Sequence, residues 1–217
     1  GGIIRMIVIA PEVEGADDFI RQASQLCTVS IAHTDSNYEQ AKHGFDMGIT
    51  HATHLYNAMS GLNHRAPGVL GAVFDDERVF AEIICDGFHI HPSVVRTTFR
   101  LLGDRILAVS DSMSAAGLED GQYELGGQPV YVRDSKACLK DGTIAGSTTN
   151  LYQEMKNLVS WGVPFEQAVK SVTLTPARSI KEDYRVGSIA AGKLADVVLL
   201  DSDLNIVKII QGGKICE

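Results

Sequence analysis

Cysteine is scarce in this sequence of 217 residues, and its four copies form no pattern. Cys27, Cys85, Cys138 and Cys216 lie more than fifty residues apart, and no two of them make a Cys-x-x-Cys pair. This spacing excludes a small disulfide-rich scaffold and the common cysteine-based zinc motifs. It favours a protein of the reducing cytoplasm, which is the localisation we predict.

Positive charge is the second deficit. The sequence has 19 basic and 27 acidic residues, which gives a net charge of −8. Proteins that bind nucleic acid neutralise its phosphates with clustered lysines and arginines, and the sequence contains no such cluster. We therefore predict no nucleic-acid partner, and we expect any anionic ligand to need a local basic pocket.

Long apolar runs are also lacking. No segment approaches the ~20 apolar residues that cross a bilayer, and the first residues, GGIIRMIVIAPE, lack the charged and long apolar segments of a signal peptide. Apolar residues make up 45% of the sequence and charged residues 21%, a balance that excludes intrinsic disorder. These features predict a soluble globular protein without a membrane partner.

An alternation of β-rich and helical segments is the main feature that is present, and it is typical of α/β proteins. Strands are predicted at 6–10, 28–32, 49–54, 79–85 and 105–110. They are followed by Glu12, His33, His54, the segment 86–89 and Asp111. Because (β/α)8 barrels build their active sites at the carboxyl ends of the strands, this pattern favours part of a TIM-type barrel over a doubly wound sheet.

Capping residues predict where the helices lie between these strands. Asp17 or Asp18 is predicted to cap a helix that runs to about residue 26. Ser36 or Asn37 is predicted to cap the next helix. Further helices are predicted at 92–102, 150–160 and 165–172.

The predicted organisation is a partial barrel at 1–182 followed, at 183–217, by strands of a small β-sandwich domain. Within the first domain, 121–141 has short β segments and turns, and we expect it to cross the barrel mouth. A complete barrel has eight strands and typically ~250 residues. The five strands are therefore expected to be the last five of the barrel, with unpaired edges where the others are absent.

His33 and His54 are the leading candidates for metal binding. Two imidazoles at the ends of neighbouring parallel strands can share one divalent cation through their neutral nitrogens. The alternative is a pair of hydrogen-bonding histidines beneath a loop. Their separation of 21 residues equals one strand-helix-strand unit, which favours the ligand interpretation. By contrast, His43 is predicted on a helix surface, and His51 is a weaker ligand candidate.

Three further residues have the chemistry for a hydrolytic site. Asp111 is followed by small residues, and a carboxylate there can take a proton from an activated water and return it to a leaving group. His89 can donate to a carbonyl or can brace its own loop. Arg65 suits a phosphate or a carboxylate, although an isolated surface arginine is more often simply solvated.

Several motifs, in order along the chain, resemble the N-acetylglucosamine-6-phosphate deacetylase family of the amidohydrolase superfamily. They are AHTDS (32–36), THLYNAM (53–59), HRAPG (64–68), DGFHIHP (86–92), VSDSMSAAG (109–117), GTIAGS (142–147), TLTPAR (173–178) and GSIAAGKLADVVLLD (187–201). The resemblance covers nearly the whole chain. It implies a cytoplasmic homodimer that uses a divalent metal, zinc or iron, to deacetylate a phosphorylated amino sugar.

The same resemblance implies roles for particular residues. His33 and His54 would bind the metal, and Asp111 would act first as general base and then as general acid. His89 would contact the substrate amide. The remaining implied substrate contacts, at the phosphorylated sugar and along the pocket, are Asn57, Ala58, Arg65, Ile144, Ala145 and Gly146.

One part of the family pattern is absent. Members take a third metal ligand from a glutamate in an upstream HLEGP-type segment, which this sequence does not contain. Glu12, in APE, does not match that motif, and we predict a structural role for it. The chain is therefore expected to be the C-terminal part of a longer enzyme and to hold its metal weakly. The alternatives are a related amidohydrolase, such as an N-acyl-amino-acid deacylase, and an inactive fragment.

Overall fold

A five-stranded parallel sheet, with strand order β1-β2-β3-β4-β5, lies at the centre of the molecule. The computed structural model describes residues 2–216; Gly1 and Glu217, at the outer ends of the two predicted domains, lie outside the described residues. The strands are β1 (Met6–Ile9), β2 (Thr28–Ile31), β3 (Ile49–Ala52), β4 (Phe80–Ile83) and β5 (Ile106–Ala108). All five predicted strands are confirmed, and each is shorter than predicted.

Burial differs between the strands of this sheet. β2 and β5 are buried along their whole length, as is common in parallel sheets covered by helices on both faces, whereas Val8 in the edge strand β1 is 46% exposed. β1 pairs with β2 in parallel from Met6 opposite Thr28 to Ile9 opposite Ile31. Because every pair is parallel, the carboxyl ends of all five strands lie at one edge of the sheet.

Helices connect the strands and cover the sheet. They are α1 (Ala16–Ala23), α2 (Tyr38–Met47), α3 (Gly68–Asp75), α4 (Pro92–Leu102), α5 (Leu151–Ser160), α6 (Phe165–Val172) and α7 (Leu174–Ser179). The main hydrophobic core lies between these helices and the sheet and includes Ile20, Leu70, Phe99 and Leu158. Within residues 2–216, no helix combines the length and the apolar character that a membrane crossing requires.

The helix ends confirm some of the capping predictions and correct others. Asn37 caps α2 and forms a capping box with Gln40, as predicted for one of the two candidates. The prediction for α1 was wrong, because Gly15 holds the cap position and no side chain caps the helix. Asp17 and Asp18 lie instead in its first turn, where carboxylates still favour the helix dipole.

Helix α3 was not predicted, because glycine is a weak helix former and its sequence begins Gly-Val-Leu-Gly. The structure shows why glycine is needed there. A Cβ atom on Gly71 would lie 2.4 Å from the Cβ of Pro67, a contact that the backbone cannot accept. The apolar side chains Val69, Leu70 and Val73 stabilise the helix through burial rather than through propensity.

Two small antiparallel sheets complete the fold. The first, predicted as short β segments, comprises β6 (Gly121–Leu125), β7 (Gln128–Arg133) and β8 (Lys136–Cys138). The second, formed by the predicted C-terminal strands, comprises β9 (Val197–Leu200), β10 (Ile206–Gln211) and β11 (Lys214–Ile215). The chain is thus an α/β protein with one parallel and two antiparallel sheets.

Candidate functional site

The candidate site lies at the carboxyl edge of the parallel sheet. His33 follows the last residue of β2 by two positions, and His54 follows the last residue of β3 by two. His89 lies in the loop after β4, and Asp111 lies three positions after the end of β5. Parallel pairing of the strands therefore brings these four loops to the same edge.

Three of these residues have left-handed backbone conformations. The φ angles are 47° at His33, 35° at His54 and 47° at Asp111. Such angles are uncommon outside glycine, although His, Asp and Asn adopt them more readily than other residues. Backbone strain of this kind costs on the order of 1–3 kcal/mol per residue and is concentrated at functional sites. It also ends each strand earlier than the sequence predicts.

The imidazole rings of His33 and His54 are in direct contact. Their Nε2 atoms are 3.0 Å apart, and the two ring planes are inclined by 83°. Two nitrogens bound to one zinc ion at ~2.0–2.1 Å in a tetrahedral arrangement are separated by roughly 3.3 Å. The observed separation is that of a hydrogen bond between the two rings and is slightly shorter than this value. A small separation of the rings would let the pair share a divalent cation, and imidazole is a preferred ligand of zinc and iron. Within residues 2–216, no group of three or more His, Cys, Asp or Glu side chains suits a metal ion.

The buried side of this pair rests on Glu82, which sequence reasoning missed. One oxygen of Glu82 contacts His51 Nε2 at 2.9 Å, and the other accepts the backbone N–H of His54 at 3.4 Å. His51 is fully buried in β3, so this contact, and not metal binding, explains its position. An acidic residue within the apolar run of β4 was the available signal, because buried carboxylates need a partner.

Glu12 supports the loop that carries His33. Its carboxylate accepts hydrogen bonds from the hydroxyls of Thr34 and Ser36, both at 2.6 Å, and from the backbone N–H of Asp35 at 2.8 Å. Burial alone would raise the pKa of Glu12, but the hydrogen bonds from Ser36 and Thr34 outweigh it and hold the pKa below its ordinary value. These contacts give Glu12 a structural role.

The loop after β3 carries three of the predicted substrate contacts. The carbonyl of Ala58 accepts a hydrogen bond from the N–H of Thr34 at 3.1 Å, which joins this loop to the loop of His33. The side chain of Asn57 donates to the carbonyl of His54 at 3.2 Å. Arg65 is exposed on the same loop, and its guanidinium has no ion-pair partner within the described residues.

The segment of Ile144, Ala145 and Gly146, predicted to line the substrate pocket, lies beside Asp111. The N–H of Ser147 donates to the carbonyl of Asp111 at 2.9 Å. Gly146 has a φ of 72°, and a Cβ atom there would approach the Asp111 carbonyl oxygen to 3.3 Å. The carboxylate of Asp111 is exposed, so it is accessible to a substrate.

His89 is held by Asp86, three positions earlier. Nδ1 of His89 lies 2.7 Å from a carboxylate oxygen of Asp86, and the two side chains are 7% and 5% exposed. The sequence left two roles open for His89, donation to a carbonyl and bracing of its own loop. The contact with Asp86 shows that His89 braces the loop, and it leaves the other ring nitrogen, Nε2, free of any hydrogen bond within residues 2–216.

Glu154, on α5, is the second residue that sequence reasoning missed. Its side chain is fully buried, and neither carboxyl oxygen has a hydrogen-bond partner in the described part of the chain. Burial, reinforced by the nearby carboxylates of Asp86 and Asp111, raises its pKa to about 9. Glu154 is therefore a neutral carboxylic acid at neutral pH. Its helical position among polar residues gave no sequence signal.

A groove of about 540 Å³ lies elsewhere, against β1 and α1. It is apolar and contains none of the predicted site residues; its lining includes Ile3, Ile4, Ile7, Phe19 and Leu26. The chemistry of the strand ends, with two convergent imidazoles and a free carboxylate, therefore identifies the candidate site better than cavity size does.

Comparison with known proteins identifies the family of the chain. The sequence profile described as the amidohydrolase family matches residues 16–216. The chain belongs to the amidohydrolase family. This amidohydrolase is 38% identical, over 96% of its length, to N-acetylglucosamine-6-phosphate deacetylase from Vibrio furnissii. It is also 38% identical, again over 96% of its length, to N-acetylgalactosamine-6-phosphate deacetylase from Escherichia coli O157:H7.

Solved structures give the same result for the fold. N-acetylglucosamine-6-phosphate deacetylase from Pasteurella multocida matches 99% of this amidohydrolase with a TM-score of 0.94 and 31% identity. The Mycobacterium smegmatis enzyme, as a mutant in complex with N-acetyl-D-glucosamine-6-phosphate, matches 99% with a TM-score of 0.93 and 34% identity. The chain covers 53% and 56% of the two curated relatives and 57% and 58% of these structures, about half their length.

Proposed function

We propose that this amidohydrolase cleaves the acetyl group from N-acetylglucosamine 6-phosphate, giving glucosamine 6-phosphate and acetate. The observation that carries the proposal is the direct approach of His33 Nε2 and His54 Nε2 at the strand ends, 3.0 Å apart. Relatives with this activity match 96% of the chain or more, which favours a phosphorylated amino sugar as the substrate.

The architecture that supports the proposal is part of a (β/α)8 barrel. The parallel sheet and its helices, within 1–182, would form the last five strand-helix units, and 183–217 would form strands of a small β-sandwich. High TM-scores to deacetylase chains, of which the protein covers a little over half, favour this assignment. The candidate site would then lie at the carboxyl face, where such barrels act.

His33 and His54 would hold one divalent cation, with zinc or iron as the expected identity. When bound, such a cation polarises a carbonyl oxygen and lowers the pKa of a water molecule that it contacts. The donor set fits, because the Nε2 atoms of the two histidines lie 3.0 Å apart and imidazole is a preferred ligand of such cations. Glu82 and Glu12 would orient the two loops, since they bond the backbone of His54 and the residues next to His33.

Asp111 would transfer the proton. Its exposed carboxylate takes a proton from the attacking water while the water oxygen bonds to the acetyl carbon. The carbon–nitrogen bond then breaks, and Asp111 returns the proton to the departing amine, so that acetate and the free amino sugar leave. The segment 144–146 would line the pocket beside this carboxylate, because the next residue, Ser147, donates its backbone N–H to the backbone carbonyl of Asp111.

The phosphate group would be bound at the loop after β3. In a protein with a net charge of −8, a dianionic substrate needs a local cation, and Arg65 is exposed and unpaired among the described residues. Backbone groups of Asn57 and Ala58 lie on the same loop and are fixed by bonds to the two histidine loops. We also propose a cytoplasmic homodimer; light scattering of the purified protein tests the dimer.

Acetate release tests the proposed reaction. Asp111→Asn should lower kcat by about 10²–10⁴-fold, because the amide cannot accept the proton. Asp134→Asn is the matched control, since Asp134 is also an exposed aspartate with a left-handed φ of 49°. Near-normal turnover of Asp111→Asn with metal present would remove Asp111 from the mechanism.

Deacetylation of N-acetylgalactosamine 6-phosphate is a second candidate function. The observation that favours it is the 38% identity to the Escherichia coli O157:H7 enzyme, equal to that of the Vibrio furnissii relative. The two sugars differ only in the configuration at C4. The ratio of kcat/KM for the two phosphorylated sugars decides between them, and an N-acyl-amino acid in the same assay tests the related deacylase activity.

A further inference from the structure

Asp111, the proposed proton-transfer residue, has a backbone conformation that needs support. Its φ of 47° lies in the left-handed region, which is uncommon for residues other than glycine. Such a conformation persists only where the surrounding contacts over-determine it. The side chain of Asp111 is exposed and must stay free for the reaction, so the support has to come through the backbone.

Ser147 bonds to both peptide groups that border Asp111. Its backbone N–H donates to the carbonyl of Asp111 at 2.9 Å, and its hydroxyl donates to the carbonyl of Ser110. The Ser110 carbonyl belongs to the peptide group before Asp111, and the Asp111 carbonyl belongs to the one after it. Because peptide groups are planar, the orientations of these two groups set φ and ψ of Asp111. One residue therefore fixes the direction in which the carboxylate leaves the backbone.

Two further bonds complete the attachment of Ser147 to the loop after β5. Its carbonyl accepts the N–H of Met113 at 2.9 Å, so that Ser112 and Ser147 form a parallel bridge. The hydroxyl oxygen of Ser147 accepts the N–H of Thr149 at 3.4 Å, which leaves the hydroxyl hydrogen for the Ser110 carbonyl. Ser147 is 2% exposed, so water does not compete for these bonds.

The segment that carries Ser147 is itself fixed to the small sheet of β6, β7 and β8. Before Ser147, the N–H of Ala145 donates to the carbonyl of Ala137 at 3.1 Å. After Ser147, the hydroxyl of Thr148 donates to the carbonyl of Ser135 at 2.6 Å. Ser147 is therefore held on both sides and forms a fixed support for the loop after β5.

We propose that Ser147 is a positioning residue: its hydroxyl and its backbone N–H hold the two peptide groups around Asp111 and so direct the Asp111 carboxylate at the substrate. This inference rests on the proposed function for the proton transfer by Asp111. The support of the Asp111 backbone rests on the hydrogen bonds alone, and the two parts are tested separately.

Ser147→Ala removes the hydroxyl and keeps both backbone bonds of residue 147. The peptide group before Asp111 then loses its bond at the Ser110 carbonyl, and the direction of the carboxylate is less well defined. Because Asp111 moves the proton rather than binding the substrate, kcat for acetate release should fall roughly 10–100-fold, whereas KM should change little.

Ser171→Ala is the matched control for these kinetics. Ser171, in α6, is 1% exposed, and its hydroxyl donates to the carbonyl of Ala168 at 2.8 Å. This variant loses the same kind of buried hydroxyl bond away from the site, and it should keep the kcat of the unaltered protein. A kcat for Ser147→Ala equal to that of Ser171→Ala would overturn the positioning role.

Amide hydrogen exchange tests the backbone part without any substrate. The N–H groups of Met113 and of residue 147 both form bonds between the two segments. In Ser147→Ala they should exchange roughly five-fold faster than in the unaltered protein, because the loop opens more readily with one bond fewer. In Ser171→Ala they should exchange at the unaltered rate. Unchanged exchange in Ser147→Ala would refute the support of Asp111 by the hydroxyl.

Two remaining outcomes separate this inference from the proposed function and from misfolding. If the unaltered protein releases no acetate from either phosphorylated sugar while exchange accelerates in Ser147→Ala, the proposed function fails and the backbone support stands. If Ser147→Ala does not fold, the unaltered protein decides. Protection of its Met113 amide from exchange supports the inference, and exchange as fast as in the unfolded chain overturns it.

Discussion

At the scale of single residues, Glu154 introduces a pH dependence into the stability of the fold. Its folded-state pKa is about 9, above the ordinary value of 4.5, because burial disfavours the charged form of the carboxyl group. The folded state therefore keeps a proton that the unfolded chain releases. The contribution is fully present below about pH 4.5 and is lost as the pH rises toward 9.

Glu154→Gln should remove this dependence, because the amide is neutral at every pH. Between pH 5 and pH 8 the unaltered protein should lose about 4 kcal/mol of unfolding free energy that the variant retains. Urea unfolding at the two pH values measures the difference. Glu14→Gln, at an exposed glutamate, is the control and should follow the unaltered protein. Equal pH dependence in both variants would show that Glu154 is ionised in the folded state.

The site residues show what a sequence can reveal at this scale. The contact between His33 and His54 was predictable, because parallel strands bring their carboxyl ends together. The same reasoning predicted that Asp111 follows a strand at this edge. Glu82, Asp86 and Glu154 were not assigned roles, because their importance depends on contacts between distant segments. Glu82, for example, contacts a histidine 31 positions away. No local pattern in the sequence records such a contact.

At the scale of secondary-structure elements, the loop after β2 depends on β1 for its shape. Glu12, just beyond β1, accepts three hydrogen bonds from residues 34–36. These residues directly follow His33, so Glu12 fixes the direction of a proposed metal ligand without touching the metal. Its influence is comparable to that of groups that orient metal ligands from outside the coordination sphere.

Glu12→Ala should therefore weaken zinc binding by about 10–100-fold, because the loop of His33 loses its support. Isothermal titration with zinc measures the affinity. Glu14→Ala, two positions away and exposed, should leave the affinity unchanged. Equal affinities for the Glu12→Ala protein and the unaltered protein would show that the loop holds its shape without Glu12.

Element boundaries were predicted less well than element types. The alternation of strands and helices was correct, but the predicted strands at 49–54, 79–85 and 105–110 each end two residues too late. The two residues that follow each of these strands continue the strand pattern of the sequence. In the structure, the left-handed turns at His54 and Asp111 end the pairing between strands. Helix α3 was missed because its glycines allow close packing, and helix propensity takes no account of packing.

At the scale of the whole molecule, metal binding should be visible as stability. A ligand that binds only the folded state stabilises it by about 3 kcal/mol at a hundred times its dissociation constant, which raises Tm by roughly 5–10 °C in a protein of this size. Zinc should therefore raise Tm, and a chelator should reverse the effect. His33→Asn should abolish the response, whereas His43→Asn, on the exposed side of α2, should keep it. A full zinc response in His33→Asn would place the metal elsewhere.

The left-handed turns at His33, His54 and Asp111 also restrict which substitutions the protein can accept over evolutionary time. Asparagine and glycine tolerate these angles, whereas valine and isoleucine do not. A copy of this gene released from selection for catalysis should therefore drift first to Asn or Gly at these positions and retain its fold. The backbone thus limits the accessible sequences at the site independently of the chemistry performed there.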